Sequence, residues 1–166
     1  MASEQKIFIE QCGLDLVQLD SPRSLFLHLR DCSPGRTCVI ATDSIDWAST
    51  YMDILRVLAR LAGIGDEVRR VTAERSPVNQ EQVELVFYWK GEEFRWRFTQ
   101  RFRYLSEEFW EMARHFLAER ANQNIILIST LGEPFLELVS LPSEDLAKIG
   151  HAGLSLSVFV YATQSA

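Results

Sequence analysis

The 166-residue chain has no long apolar run, few cysteines and none of the short motifs that announce an enzyme. Its apolar runs have the length of "IILI" at 125–128 and "VFVYA" at 158–162, whereas a membrane-spanning helix needs about 20 such residues. No membrane segment is therefore expected. The first residues carry Glu4, Lys6 and Glu10 rather than a basic-then-apolar leader, which predicts a cytosolic protein. Three cysteines fit a reducing compartment in which thiols stay free. The spacing His28-x3-Cys32-x5-Cys38 lacks the paired Cys-x2-Cys geometry of a zinc site, so no metal is expected there.

Also missing are a GxSxG elbow, a Walker loop, a GxGxxG turn and an HExxH helix. Asp43 and Asp46 follow a predicted strand, where metal-binding carboxylates occur, but capping of the next helix accounts for the same residues. His115 and His151 have no partner near in sequence and are read as surface residues, and His28, after a run of apolar residues, is read as structural. No catalytic residue and no cofactor is expected.

What is present is the composition of a folded protein, with 47% apolar and 24% charged residues. No repeat, linker or low-complexity tract divides the chain, so residues 1–166 are expected to form one domain with frayed ends at "MASEQ" and "TQSA". The formal net charge is −6, and it is unevenly spread. Residues 1–89 hold 9 basic and 13 acidic side chains, residues 104–166 hold 3 and 8, and residues 90–103 reverse the balance with 5 and 2.

Ser21 followed by Pro22 predicts a capped helix to about Cys32, ended by "SPG". "TCVIATD" at 37–43 reads as a short buried strand. Asp43 or Ser44 is expected to cap a helix over about 44–62, whose stripe is Tyr51, Ile54, Leu55, Leu58, Leu61 and Ala62. Met52 and Val57 fall outside that stripe and imply cover on a second side. A strand over 67–74 precedes an aromatic hairpin at about 83–103. A second long helix follows over about 106–121, with Phe109, Met112, Ala113, Phe116 and Leu117 inward. "NIILIST" and "PFLELVSL" read as strands joined at "LGEP", Pro142 opens a short helix, and "GLSLSVFVYAT" is a last strand with Leu154, Leu156, Val158 and Val160 on one face. Clustered strands with irregularly placed helices predict an α+β fold, largely antiparallel, in which the hairpin is packed by the 44–62 and 106–121 helices.

The hairpin carries the densest pattern, "FYWKGEEFRWRFTQRFRY" at 87–104. With Gly91 and Glu92 at the tip of a type II′ turn, Trp89 is expected opposite Phe94, Phe87 opposite Trp96 and Leu85 opposite Phe98. One face is then Leu85, Phe87, Trp89, Phe94, Trp96 and Phe98, and the other Val86, Tyr88, Lys90, Glu93, Arg95 and Arg97. The alternation continues as Phe102 and Tyr104 against Arg101 and Arg103, which predicts a long second strand. A base-stacking platform needs solvent-facing aromatics, whereas these share a face that a helix stripe can cover. The aromatic set is therefore read as core. The opposite stripe, Tyr88, Arg95, Arg97, Arg101 and Arg103, is the candidate partner-binding face, since Arg and Tyr are favoured at interfaces.

The pieces "YWKGEEFRWRF", "SEEFWEMARHFLAE" and "LVSLPSEDLAKI" resemble a hairpin, acidic helix and "LP-x-E" helix found in small bacterial immunity proteins of polymorphic-toxin systems. The resemblance covers about residues 83–148 and brings no residue-level site with it. It implies a non-enzymatic protein that binds and neutralises a cognate toxin or effector. An acidic inhibitor of that kind would meet a basic effector through electrostatic steering. The alternative is a nucleic-acid-associated accessory protein using the arginine stripe, though the acidic balance makes nucleic acid an unlikely partner.

Overall fold

The computed structural model describes residues 19–129 and 133–163, and the fraying expected at the two ends lies outside them apart from Thr163. Helix α1, Pro22–Cys32, starts where the sequence predicts. Ser21 Oγ accepts from Ser24 N–H, and Ser24 Oγ accepts from Ser21 N–H, with Pro22 supplying the fixed first turn. Strand β1, Thr37–Ala41, follows a single 3-10 turn. Helix α2 runs over Ser49–Leu61 and is shorter than the expected 44–62. The cause is Ile45, which is only 2% exposed and whose N–H bonds Arg103 O, so that its backbone is committed outside the helix. Asp43 therefore caps no helix, and α2 begins after Ala48 without a side-chain cap.

Strands β2 (Val68–Arg75), β3 (Gln82–Trp89) and β4 (Glu92–Thr99) form one antiparallel sheet in that order. Helix α3, Glu107–Ala118, begins at Ser106, whose Oγ accepts from Phe109 N–H. Strand β5 (Asn124–Leu127), strand β6 (Phe135–Leu141), helix α4 (Ser143–His151) and strand β7 (Ser157–Val160) complete the described chain. The second sheet is also antiparallel, ordered β1-β6-β5-β7. Helices α2 and α3 lie between the sheets, α2 against β2 and β1, α3 against β4 and β7. The far side of the four-stranded sheet is covered by α1, where Leu25, Phe26 and Leu29 meet Ile126, Val139, Leu141 and Ile149. The described residues thus form one α+β domain. None of their helices is long and apolar enough to cross a membrane.

The whole predicted stripe of α2 is buried, and Met52 and Val57 pack at the core's edge as their off-stripe positions imply. On α3 Phe109, Ala113, Phe116 and Leu117 are buried as expected, but Met112 is only half-buried and lies outside the core cluster. Trp110 is also buried and stacks on Phe159 with ring centroids 4.3 Å apart, which ties the helix to β7. The last strand is shorter than "GLSLSVFVYAT" suggests. A register shift between Ile125 and Ile126 turns Val160 into the central core while Val158 packs in the smaller cluster, so the two do not share a face.

The hairpin faces are as expected, but the turn is displaced by one residue. Trp89 stands opposite Glu92, Phe87 opposite Phe94 and Leu85 opposite Trp96. The tip is Lys90-Gly91, with φ of 50° and 86°, the two left-handed residues of a type I′ turn rather than the single one of type II′. Because the offset is even in the pairing, every side chain keeps its face. Strand β4 also ends at Thr99, short of the predicted continuation. Gln100 is buried there and its amide is fully engaged: Nε2 donates to Ile45 O and Phe102 O, and Oε1 accepts from Arg75. Phe102 then takes φ of 55° and the chain turns away from the sheet.

Cys38 is a free thiol, but Cys32 is disulfide-bonded, which corrects the expectation of free thiols at that position. Burial pushes the Cys38 thiol up to about 11, so it is no thiolate at neutral pH.

Tyr51 sits at the centre of the main core, its ring 4.7 Å from Phe98 and 4.8 Å from Phe109. Its hydroxyl accepts from Ser106 N–H, and burial pushes its pKa up to about 12. A raised phenol pKa means stability present below the unfolded value of about 10 and lost as pH rises toward the folded one. Urea unfolding of wild type should therefore weaken between about pH 10 and pH 12, and Tyr51→Phe should flatten part of that decline. At pH 7 the same variant should lose about 1–2 kcal/mol, since Ser106 N–H is left unpaired.

Candidate functional site

The outer face of the three-stranded sheet carries Tyr88, Arg95 and Arg97, brought together by the β3–β4 register that sets Tyr88 opposite Glu93 and Glu84 opposite Arg97. Each cation is engaged. Arg95 donates to Glu84 and to Glu93, and Arg97 Nε donates to Glu84 Oε2 at 2.6 Å. Tyr88 Oη donates to Glu93 Oε2 at 2.6 Å, and the Arg70 guanidinium lies 5.8 Å from the Tyr88 ring centre. The hydrogen bond from Arg97, with that from Arg95, holds Glu84 below the usual carboxylate range, and the bonds from Tyr88 and Arg95 do the same for Glu93. Glu93 in turn raises the Tyr88 phenol. The face is thus a connected chain of alternating charge, open to solvent, in which Arg95 and Arg97 are each paired with a carboxylate.

Arg101 and Arg103 do not join this face, because β4 has ended before them. Both lie in the exposed turn after Gln100. Arg103 makes a two-pronged ion pair with Asp46, Nε to Oδ1 at 2.6 Å and Nη2 to Oδ2 at 3.0 Å. Asp46 is therefore an anchor for this turn, and Asp43 accepts from Ser44 Oγ. Arg101 forms no ion pair among the described residues.

The loops 42–47 and 100–105 are stitched to each other. Ile45 N–H bonds Arg103 O at 2.8 Å, Leu105 N–H bonds Thr42 O at 2.7 Å, and Gln100 reaches Ile45 O at 2.8 Å. On this braced pair stand Trp47, Phe102 and Tyr104, 74%, 86% and 61% exposed. The Phe102 and Tyr104 rings meet edge to face at 6.5 Å. The alternation of the sequence had placed both on a continued second strand, opposite in face to Arg101 and Arg103; the end of β4 at Thr99 leaves them exposed in a turn instead. Trp47 was legible only as a lone tryptophan in the polar run "DSIDWAST", outside the stripe of α2.

His115 and His151 are exposed, and His28 is half-buried on α1. Among the described residues no group of three or more His, Cys, Asp or Glu is placed to hold a metal ion. No family of known sequence pattern, no curated protein and no solved structure matches the chain.

If Glu84 and Glu93 neutralise the outer face, wild type should pass through a heparin column at low salt. The variant Glu84→Gln, Glu93→Gln should be retained and elute only as salt rises. Equal retention of the two proteins would mean that the pairing leaves the arginines free to bind polyanions.

Proposed function

We propose that this protein works by binding another protein, as an immunity- or inhibitor-type module that holds a cognate toxin or effector inactive. The observation that carries the reading is the group of Trp47, Phe102 and Tyr104, exposed on two loops fixed by backbone bonds, the Gln100 amide and the Arg103–Asp46 pair. Large rings left in water on a braced backbone lose little further freedom on binding, and aromatic residues are among the commonest energetic anchors of interfaces. Arg101 and Arg103 flank them, and the sheet face of Tyr88, Arg95 and Arg97 supplies a polar surface of paired charges. The nucleic-acid alternative has less support, because Arg95, Arg97 and Arg103 already hold carboxylates.

The test is capture of a partner from the native lysate by wild type and by Trp47→Ala, Phe102→Ala, followed by titration with the purified partner. Both substitutions are at exposed positions and should leave the fold intact. We expect one discrete protein, insensitive to nuclease, with each alanine weakening binding by about 2 kcal/mol or more. Co-expression should then relieve the partner's toxicity. Nuclease-sensitive material lost in the variant would overturn the reading in favour of the accessory-protein alternative.

A cytosolic location goes with this proposal. Thiols there are kept reduced, whereas Cys32 is disulfide-bonded in the structure, so thiol trapping in rapidly quenched cells tests the location, and labelling of Cys32 there would support the cytosol. A disulfide that persists in such cells would assign the protein to an oxidising compartment.

A further inference from the structure

Beside the exposed aromatics lies a groove of about 680 Å³, formed where the end of β1, the turn before α3, the first turns of α3 and the start of β6 converge. Its apolar walls are Tyr104, Leu105, Trp110 and Pro134. Its charged lining residues are all acidic, Asp43, Glu107, Glu111 and Glu133. Glu111 is answered by Arg114 at 2.6 Å. Asp43, Glu107 and Glu133 form no ion pair among the described residues, and no basic side chain lines the groove. Glu107 lies in the first turn of α3.

The lining segments are held to one another by backbone bonds, Leu105 N–H to Thr42 O at 2.7 Å and Thr42 N–H to Pro134 O at 2.9 Å. The groove is therefore preformed. Three like charges facing one apolar space without a counter-ion repel one another, and a cation entering that space relieves the repulsion. A bare divalent ion is a poor candidate, since among the described residues no three carboxylates converge closely enough to hold one. The fitting guest has an apolar stem and a cationic head. Lysine and arginine lay their methylenes along apolar surface and carry the charge to the rim, and an aromatic wall adds attraction for the head.

We propose that this groove receives an arginine- or lysine-bearing segment of the partner protein. That the guest belongs to a partner rests on the protein-binding reading above; the preference for a basic side chain with an apolar stem does not. A second copy of this chain is disfavoured as guest, because each copy carries a net charge of −6.

The test is titration of the isotope-labelled protein with acetyl-Leu-Arg-Leu-Arg-amide, followed by the indole N–H signal of Trp110 and the amides of residues 105–111. The same peptide with citrulline for arginine keeps the shape and removes the charge. We expect saturable shifts with the arginine peptide and none with citrulline. The variant Asp43→Asn, Glu107→Gln, Glu133→Gln should bind about tenfold more weakly. The control Asp53→Asn, Glu74→Gln, Glu92→Gln removes the same charge from remote exposed sites and should change affinity by less than about twofold. All six positions are exposed, so both variants should fold.

Equal weakening by the two variants would reduce the effect to net charge and overturn the proposal. Equal binding of the citrulline peptide, or no saturable shift, would overturn it too. A failed titration would leave the partner-capture result standing, and a failed capture would leave a groove that binds arginine, so the two readings fall separately.

Discussion

The wedge of α3 between the two sheets is the contact on which the rest of the structure depends. Phe116 meets Phe87 and Phe94 at 5.1 Å and Trp96 at 5.8 Å, each ring edge to face, while Phe109 contacts Tyr51 and Phe98. Each such pair contributes about 0.5–1.5 kcal/mol beyond the area it buries. On the same helix Trp110 stacks on Phe159, so one helix ties the hairpin to the four-stranded sheet. Arg120 closes the open end of the cluster. Its guanidinium lies 4.4 Å from the Phe116 ring centre and 4.8 Å from that of Trp89, and it donates to Phe116 O.

The surface features follow from that wedge. To begin at Ser106, directly under Tyr51, α3 must be reached from the end of β4 by a tight excursion. Gln100 secures its start by filling a buried polar position, and residues 101–104 are left to bulge into solvent. The exposed aromatics and the acidic groove therefore lie on either side of one connection, sharing Tyr104. A surface of this kind is held firmly because its backbone is bonded on both sides.

Much of the fold was legible because it rests on local regularities. The stripe of α2, the Ser21–Pro22 cap and the two faces of the hairpin each repeat with the period of their element, and burial follows the period. The hairpin faces survived even the wrong choice of turn, because the displacement preserved parity. The errors have a common cause. The helix start at Ser49, the end of β4 at Thr99 and the division of Val158 from Val160 are each imposed by a residue far away in sequence. Ile45 is held by Arg103, Gln100 by Ile45 and Arg75, and β7 by the bulge against β5.

The candidate site was legible only in part. Tyr88, Arg95 and Arg97 share a face as the alternation of side chains along a strand requires, and composition alone shows that glutamates surround them. Whether those arginines are free or paired is a matter of register, which the sequence left two residues out. The joint exposure of Trp47 and Phe102 and the acidic groove could not be read, since their neighbours come from loops 42–47, 100–107 and 133–134. The sequence by itself determined the class of fold, the aromatic core and the absence of known catalytic motifs, because periodicity and composition act over a few residues. Only the tertiary structure decided which charges are neutralised, which aromatics face water and where an unneutralised acidic rim forms, because each depends on side chains that meet across the chain.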